Sequence, residues 1–320
     1  MIGPDGSAAP GAQIAAVTEA AAEIANLVAA GHEVVLTHGN GPQVGNLLVK
    51  NEIAATVVPP VPLDWCVAQT QATLGLVLMN ALDAALRARG IARPTTTVVT
   101  RTLVDADDPG FTRPSKPIGR HLPQDEARVL VEHGETWEDR GAKGWRRVVA
   151  SPEPLEIVDA PAIAALVDAG FVVIANGGGG IPVVLRADGT PGDVLGGVEA
   201  VIDKDLGAAL LAVTVDADVL VIATDVPHAV RRFGTPDAAP IGRVGVTDLR
   251  ALAGEGHFAS GSMGPKVDAA CRFVERGGTR AVITSLAHIV DAATGAFGTV
   301  VLPQPPAASS PPLDPTPGVH

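Results

Sequence analysis

The chain has 320 residues, of which 47% are apolar and only 3% aromatic, with 36 glycines, 27 prolines and no tyrosine. This length allows one large domain or two smaller ones, whose core must be built mainly from Val, Leu, Ile and Ala. A formal net charge of −12 at pH 7 argues against nucleic acid or an anionic membrane as a partner, although it leaves room for a small cationic pocket.

The cysteine content and the most apolar segment point to the same compartment. Cys66 and Cys271 are too few for a disulfide framework, so we expect two buried thiols in a reducing environment. The apolar stretch 206–224 is interrupted by Asp216 and Asp218, which argues against a membrane span. Residues 1–11 are rich in Gly, Pro and Ala and do not have the pattern of a signal peptide. The expected location is the cytoplasm.

Along the first hundred residues, apolar periodicity predicts helices alternating with strands. Gly31 is placed to end the first helix. The predicted elements are a helix over 13–30, a strand over 33–37, helices over 44–51 and 64–89, and a strand over 96–100.

The composition changes between 105 and about 144, where four prolines and mixed charges replace the regular alternation. A disordered loop is one interpretation of this stretch. Ala127, Leu130 and Val131 have the spacing of one helix face, however, which favours a small subdomain projecting from the main sheet.

Strand–helix alternation then resumes up to 284, which predicts an α/β fold with a largely parallel sheet covered on both faces. Residues 303–320 are Pro-rich and lack periodicity, so we expect them to be a disordered tail. The predicted elements are helices over 162–169, 204–213, 247–253 and 265–276, and strands over 172–175, 219–223 and 281–284.

Two glycine-rich motifs follow predicted strands directly: THGNGPQVG at 37–45 and NGGGGIP at 176–182. Glycines at this position let backbone N–H groups approach an anion, and the dipole of a following helix favours negative charge. Neither motif is a dinucleotide fingerprint. Tight turns are the alternative, but four consecutive glycines exceed what a simple turn needs.

Three of the five lysines lie in further motifs of this kind. Lys204 is flanked by Asp203 and Asp205 in an apolar region, which fits either a surface ion pair or a positioned charge cluster. Lys266 follows Gly264-Pro265 at a helix start, where a cation opposes the helix dipole unless an anion neutralises both. Lys116 lies in RPSKPIG at 113–119, which could close over a phosphate together with Arg146-Arg147 or be a solvated basic loop. Taken together, the loops and lysines predict phosphoryl transfer.

Other catalytic signatures are absent from the sequence. It contains no GxxxxGK[ST] phosphate loop, no protein-kinase signature and no nucleophile elbow. No Cys/His cluster has metal-ligand spacing, so no protein-held metal site is predicted.

Read together, the motifs resemble those of the carbamate kinases within the amino acid kinase superfamily, over nearly all of 13–302. The order and spacing of the matching segments carry this resemblance, which implies a three-layer α/β/α sandwich with a mainly parallel central sheet, a domain over 1–302 and a protruding subdomain near 108–148. It also implies a homodimer and the reaction ATP + carbamate ⇌ ADP + carbamoyl phosphate with Mg²⁺, often used to make ATP at the end of arginine breakdown. The matching segments are THGNGPQVG (37–45), RPSKPIG (113–119), WRRVVASP (145–152), NGGGGIPV (176–183), VIDKDL (201–206) and GHFASGSMGPKV (256–267).

The resemblance also implies a role for individual residues. Lys204 and Lys266 would stabilise the transferring phosphoryl group, Asp205 would orient them, and Lys116 would reach in from the protruding subdomain. The residues implied to hold carbamate and phosphate oxygens are Gly39, Asn40, Gly41, Gly177, Gly178, Gly179, Gly180 and Arg147. Those implied to hold the nucleotide are Thr224, Asp225, Val226, Met263 and Pro265.

The N-terminus departs from the family pattern. Carbamate kinases begin with a strand that ends in a Gly-Gly-Asn-Ala loop before the first helix, whereas here the predicted helix begins almost at once. We expect either a true start upstream or an impaired enzyme. Two alternatives to a carbamate kinase therefore stay open: a non-catalytic nucleotide-binding paralogue, or another amino acid kinase acting on acetylglutamate, aspartate or a nucleotide.

Overall fold

The computed structural model describes residues 9–186, 194–258 and 262–304. The helices in these ranges are α1 (Pro10–Ala29), α2 (Gly41–Ala54), α3 (Leu63–Ala88), α4 (Pro109–Thr112), α5 (Gln124–Glu132), α6 (Ala160–Asp168), α7 (Lys204–Thr214), α8 (Val246–Gly254), α9 (Met263–Glu275) and α10 (Ile289–Thr294). The strands are β1 (Val35–Leu36), β2 (Thr95–Thr97), β3 (Arg101–Leu103), β4 (Lys116–Leu122), β5 (Trp137–Asp139), β6 (Trp145–Val149), β7 (Glu156–Ile157), β8 (Val172–Ile174), β9 (Ile181–Arg186), β10 (Val194–Gly197), β11 (Val219–Thr224), β12 (Val230–Arg231), β13 (Ala239–Pro240), β14 (Arg243–Gly245), β15 (Arg280–Ser285) and β16 (Thr299–Leu302).

A parallel sheet of order β1-β8-β2 forms one half of the core. Alternate side chains of β8 point to opposite faces, as strand geometry requires. Val172 and Ile174 pack against α1 and α3, whereas Val173 faces Ile163 of α6 and Leu211 of α7. Helices therefore cover this sheet on both faces, which produces the three predicted layers.

A second sheet, of order β11-β15-β16-β14, forms the other half. β11 pairs with β15 in parallel and β16 runs antiparallel to β15. Ile222 and Ile283 pack with Phe273 of α9, while Val282 on the opposite face packs with Ala292 of α10. This half is also sandwiched between helices, so the predicted α/β class with a mainly parallel sheet is confirmed.

A mixed sheet of order β10-β9-β3-β7 and an antiparallel sheet of order β4-β6-β5 complete the larger elements. β4 and β5 lie within the composition break and β6 follows it directly; their antiparallel sheet has its own small core of Leu122, Ala127 and Trp137. At its base, the chain after β6 pairs with the segment before α7: Ala150 bridges Ala200, and the Val201 N–H donates to the Ala150 carbonyl at 3.0 Å.

The helices predicted from periodicity occur within about three residues of their expected bounds. The strand predicted over 96–100 is present only at its start: backbone pairing with β8 extends to the Val98 N–H, which donates to the Ile174 carbonyl at 2.9 Å, and strand pairing resumes in another sheet at Arg101. Between them the Gln71 amide receives the Thr100 N–H at 2.9 Å and donates to the Thr100 carbonyl at 3.1 Å, replacing a neighbouring strand.

Two expectations concern the ends of the chain. The predicted disorder of 303–320 falls outside the described residues after position 304, and the start upstream stays a prediction. Among the residues described, none of the helices combines the length and apolar character that a membrane span requires.

Candidate active site

A cavity of about 680 Å³ lies where the motifs meet. It is bounded by residues from both halves of the core and from the base of the β4-β6-β5 sheet. Segments that are far apart in the sequence are thus gathered around one space. The lining residues drawn from the motifs and from the predicted nucleotide-holding residues are 39–42, 44, 116–118, 178, 201–205, 224–226, 257, 258, 262, 263, 265 and 266.

The centre of this cavity holds one carboxylate between two lysines. Lys204 Nζ lies 2.7 Å from Oδ1 of Asp205, and Lys266 Nζ lies 3.0 Å from Oδ2 of the same residue. The Asp205 side chain is only 10% exposed and that of Lys266 13%, so water screens this pair weakly, whereas the Lys204 side chain is 42% exposed. Two ammonium groups sharing one carboxylate leave an excess positive charge, which suits a bound anion.

The environment of Lys204 disfavours its charged form. Burial lowers the pKa of Lys204, and the Lys266 ammonium lowers it further, against the opposing effect of Asp205. An anion in the cavity would stabilise the protonated form of Lys204.

Packing between α7 and α9 brings the two lysines together. Ala208 and Ala212 of α7 lie in one apolar cluster with Val267 and Ala270 of α9. Lys204 is the first residue of α7, and Lys266 lies in the first turn of α9. The positive ends of two helix dipoles therefore converge with the two ammonium groups.

Asp203 caps the start of α7. Its Oδ1 accepts from the N–H groups of Asp205 at 2.9 Å and Leu206 at 3.3 Å. Its Oδ2 lies 2.6 Å from Nζ of Lys116. Burial alone would raise the pKa of Asp203, but Lys116 and the two N–H donors outweigh it and hold that pKa below its usual range. Lys116, which also lines the cavity, is thus tied to the start of α7 by its ion pair with Asp203.

The two glycine motifs pack directly on each other. Gly178 has φ 71° and donates its N–H to the His38 carbonyl at 2.7 Å. A Cβ at Gly178 would lie 2.2 Å from Nδ2 of Asn40, so this close approach needs glycine. Asn40 in turn donates to Oγ1 of Thr70 at 2.9 Å. Gly39 lies against the Lys204 side chain, where an added Cβ would be 3.1 Å from Cδ.

Among the described residues that line the cavity, Gly178 is the only member of the four-glycine run. The neighbouring glycines serve the packing behind it: the Gly177 carbonyl accepts from Gln71 at 3.0 Å, and a Cβ at Gly180 would meet Thr102. The proposed contacts of Gly177, Gly179 and Gly180 with a phosphate stay predictions.

Arg147 is not among the cavity-lining residues. It lies on β6, and its guanidinium pairs with Glu135 at 3.2 Å. The structure therefore does not bring it to the lysines, and its predicted contact with phosphate stays a prediction.

All five residues predicted to hold a nucleotide line the cavity: Thr224, Asp225, Val226, Met263 and Pro265. Five further lining residues were not among the predicted site residues: His228, Val230, Phe233, His257 and Phe258. Phe258 lies inside a matching segment and could have been found, whereas Phe233 lies between two-residue strands that leave no periodic signal.

The carboxylates that line the cavity offer few oxygen ligands to a metal ion. Within the described ranges, no three His, Cys, Asp or Glu side chains cluster as metal ligands. Asp203 and Asp205 already face lysines, while Asp225 accepts from the Thr224 hydroxyl at 3.0 Å. This donor set fits a divalent ion held mainly by nucleotide phosphates and water, with one carboxylate nearby.

Comparison with known proteins identifies the family. Residues 2–285 match the amino acid kinase family. The chain belongs to that family. Within it, the chain is 48% identical over 294 residues to the carbamate kinase of Thermococcus kodakarensis, covering 91% of this chain and 92% of that one. It is 45% identical over 290 residues to the Pyrococcus furiosus carbamate kinase, with coverages of 90% and 91%.

Solved structures of this amino acid kinase family agree with the sequence match. Carbamate kinase from Giardia lamblia bound to AMP-PNP has 41% identity and a TM-score of 0.88, with 95% of each chain covered. A protein from Aeropyrum pernix has 43% identity and a TM-score of 0.89, with 95% of this chain and 96% of that one covered. The resemblance to the carbamate kinases is thereby confirmed.

Proposed function

We propose that this chain transfers a phosphoryl group reversibly between ATP and carbamate, giving ADP and carbamoyl phosphate. One observation carries the proposal: Asp205 holds Lys204 and Lys266 at two converging helix N-termini inside a cavity large enough for a nucleotide. The Thermococcus and Pyrococcus relatives, both named carbamate kinases, support the choice of acceptor.

The chemistry fits the residues of the cavity. Carbamate is already an anionic nucleophile, so the reaction requires little general-base catalysis. Its barrier lies in bringing two anions together and in stabilising charge on the transferring group. Lys204 and Lys266 supply fixed positive charge for that purpose. Gly39 and Gly178, which have no side chains, let a substrate come close to the protein backbone.

The remaining wall suits ATP or ADP. Phe233, Phe258 and Val226 line the same cavity as the lysines and offer apolar surface to a base. Mg²⁺ is the divalent ion we propose to accompany the nucleotide, and it would neutralise further phosphate charge when bound. Asp225 is the carboxylate we propose to face it.

The same proposal extends to assembly and location. A homodimer is supported by the outer face of α3, where Trp65 is 62% and Leu76 54% exposed and where no charged residue occurs between 65 and 82. In a chain of net charge −12, an uncharged face is the one on which two copies can meet without repulsion. Light scattering should give a dimer mass for the unmodified chain and a monomer mass for Leu76→Arg.

The two buried thiols support a cytoplasmic location, and ATP production from arginine breakdown is the proposed role.

A coupled assay of ATP formation from ADP and carbamoyl phosphate tests the reaction. We expect the chain to form ATP from ADP and carbamoyl phosphate. In the reverse direction, with ATP as the phosphoryl donor, we expect no phosphorylation of acetylglutamate, aspartate or a nucleoside monophosphate. A second candidate, a nucleotide-binding paralogue without this activity, is kept because an Escherichia coli relative with 44% identity has only the name carbamate kinase-like protein. ADP binding without ATP formation would favour that candidate and contradict the proposal.

A further inference from the structure

Asp203 connects the start of α7 to the start of β4, and both elements contribute residues to the cavity. Its two carboxylate oxygens act separately: Oδ1 caps α7, and Oδ2 pairs with Lys116 at 2.6 Å across 87 positions of sequence. The Asp203 side chain is 13% exposed and that of Lys116 37%. Because the Lys116 side chain is 37% exposed, water screens part of this attraction, and we expect the pair to contribute only modestly to folding stability.

The position of Lys116 is fixed by more than this ion pair. It is the first residue of β4, in register with Val149 of β6. On its other side β4 packs against α2, where a Cβ at Gly45 would lie 3.3 Å from Cα of Gly119. The backbone of Lys116 is therefore held in place by β6, and its strand by α2. Its long side chain is not positioned by these backbone contacts and needs a partner of its own.

An ammonium group has three N–H donors, and Asp203 occupies one of them. The other two are available to an anion in the cavity, which Lys116 lines together with Lys204 and Lys266. A flexible lysine loses side-chain entropy when it binds a phosphate. A carboxylate that already holds the ammonium in place reduces that loss, because the ordering occurs before the substrate arrives.

We propose that Asp203 is a positioning residue whose Oδ2 holds the Lys116 ammonium at the phosphoryl-binding end of the cavity. This role rests on the proposed function for its substrate, carbamoyl phosphate. The two acidic residues on either side of Lys204 then have different roles. Asp203 holds Lys116, whereas Asp205 orients Lys204 and Lys266.

Asp203→Asn is the informative substitution, because an Asn side chain caps a helix about as well as Asp but carries no charge. We expect it to raise the KM for carbamoyl phosphate about fivefold, with a smaller change in kcat and with the melting temperature nearly unchanged. Lys116→Ala should raise that KM at least as much. In the double variant, Asp203→Asn should add nothing, since its partner is already absent.

Glu52→Gln is the matched control, because Glu52 of α2 pairs with Arg120 on the same strand β4 at 3.1 Å but does not line the cavity. Its KM should equal that of the unmodified chain. An unchanged KM in Asp203→Asn, or an undiminished effect of Asp203→Asn in the Lys116→Ala background, would overturn the positioning role.

Binding of inorganic phosphate, measured calorimetrically without nucleotide, separates this role from the proposed reaction. Asp203→Asn should weaken phosphate binding about fivefold, and again only when Lys116 is present. If the unmodified chain forms no ATP, the proposed function fails, and the phosphate titration still decides the role of Asp203: equal affinities in the two proteins contradict it.

Discussion

Lys266 Nζ lies 3.0 Å from Oδ2 of Asp205, although 61 positions separate the two residues. A lysine in the first turn of a helix opposes the helix dipole, and this conflict was the sequence feature that predicted a neutralising anion. The carboxylate of Asp205 supplies part of that negative charge, and Lys204 takes its other oxygen. The two ammonium groups and the one carboxylate thus carry a net charge of +1, which can attract an anionic ligand.

Asp205→Asn should reduce kcat for ATP formation by about 100-fold, because the amide holds two ammonium groups less firmly and the preorganised charge is lost. Asp248→Asn is the matched control, since Asp248 also lies in the first turn of a helix, α8, but outside the cavity. It should keep its kcat and lose at most about 0.5 kcal/mol of stability. An Asp205→Asn enzyme with kcat within threefold of the unmodified chain would contradict the orienting role.

Gly178→Ala should destabilise the fold and remove most activity, because its Cβ would lie 2.2 Å from Asn40 Nδ2. Gly134→Ala separates this clash from the cost of a positive φ: Gly134 has φ 93° and open space around it. The control should lose about 1 kcal/mol and keep its activity. Thermal unfolding and kcat measurements on both variants decide the matter, and equal losses would show that the contact with Asn40 is unimportant.

His38 should make the fold sensitive to acid. Burial lowers the pKa of His38 to about 4, well below the unfolded value near 6.5. Between those values the unfolded chain binds the extra proton, so stability falls as the pH decreases through this window, by about 3 kcal/mol in total. Denaturant unfolding from pH 7 to pH 4 measures this slope.

The His38 contribution can be isolated with one variant. His38→Gln should remove the corresponding part of the pH dependence, so the difference between its slope and that of the unmodified chain measures the contribution of His38. A slope that is identical in His38→Gln and in the unmodified chain would show that His38 is not the group that titrates.

The sequence predicted what depends on local patterns. Apolar periodicity located α3 and α7, and the glycine runs and lysine motifs named nearly every polar residue of the cavity. It could not predict that Asp203 would meet Lys116, because the two residues are 87 positions apart and are brought together only by tertiary contacts such as the bridge between Ala150 and Ala200. Arg147 illustrates the same limit, since Glu135 across the small sheet takes its guanidinium.

The interruption of the predicted strand over 96–100 has a similar cause. The β-branched run over 96–100 is typical of a strand, and nothing local to it indicates that Gln71 on α3 will bind the backbone of Thr100. Local propensity is overridden there by a contact between residues 29 positions apart.

The most direct test of the account is kcat for ATP formation from ADP and carbamoyl phosphate by Lys266→Ala, measured beside Lys50→Ala. Lys50 is an exposed lysine on α2 outside the cavity, so its removal should leave kcat unchanged. Removal of Lys266 takes one of the two ammonium groups from Asp205 and should lower kcat by at least about 100-fold. Full activity in Lys266→Ala, in a protein that unfolds at its normal temperature, would contradict phosphoryl transfer by these lysines.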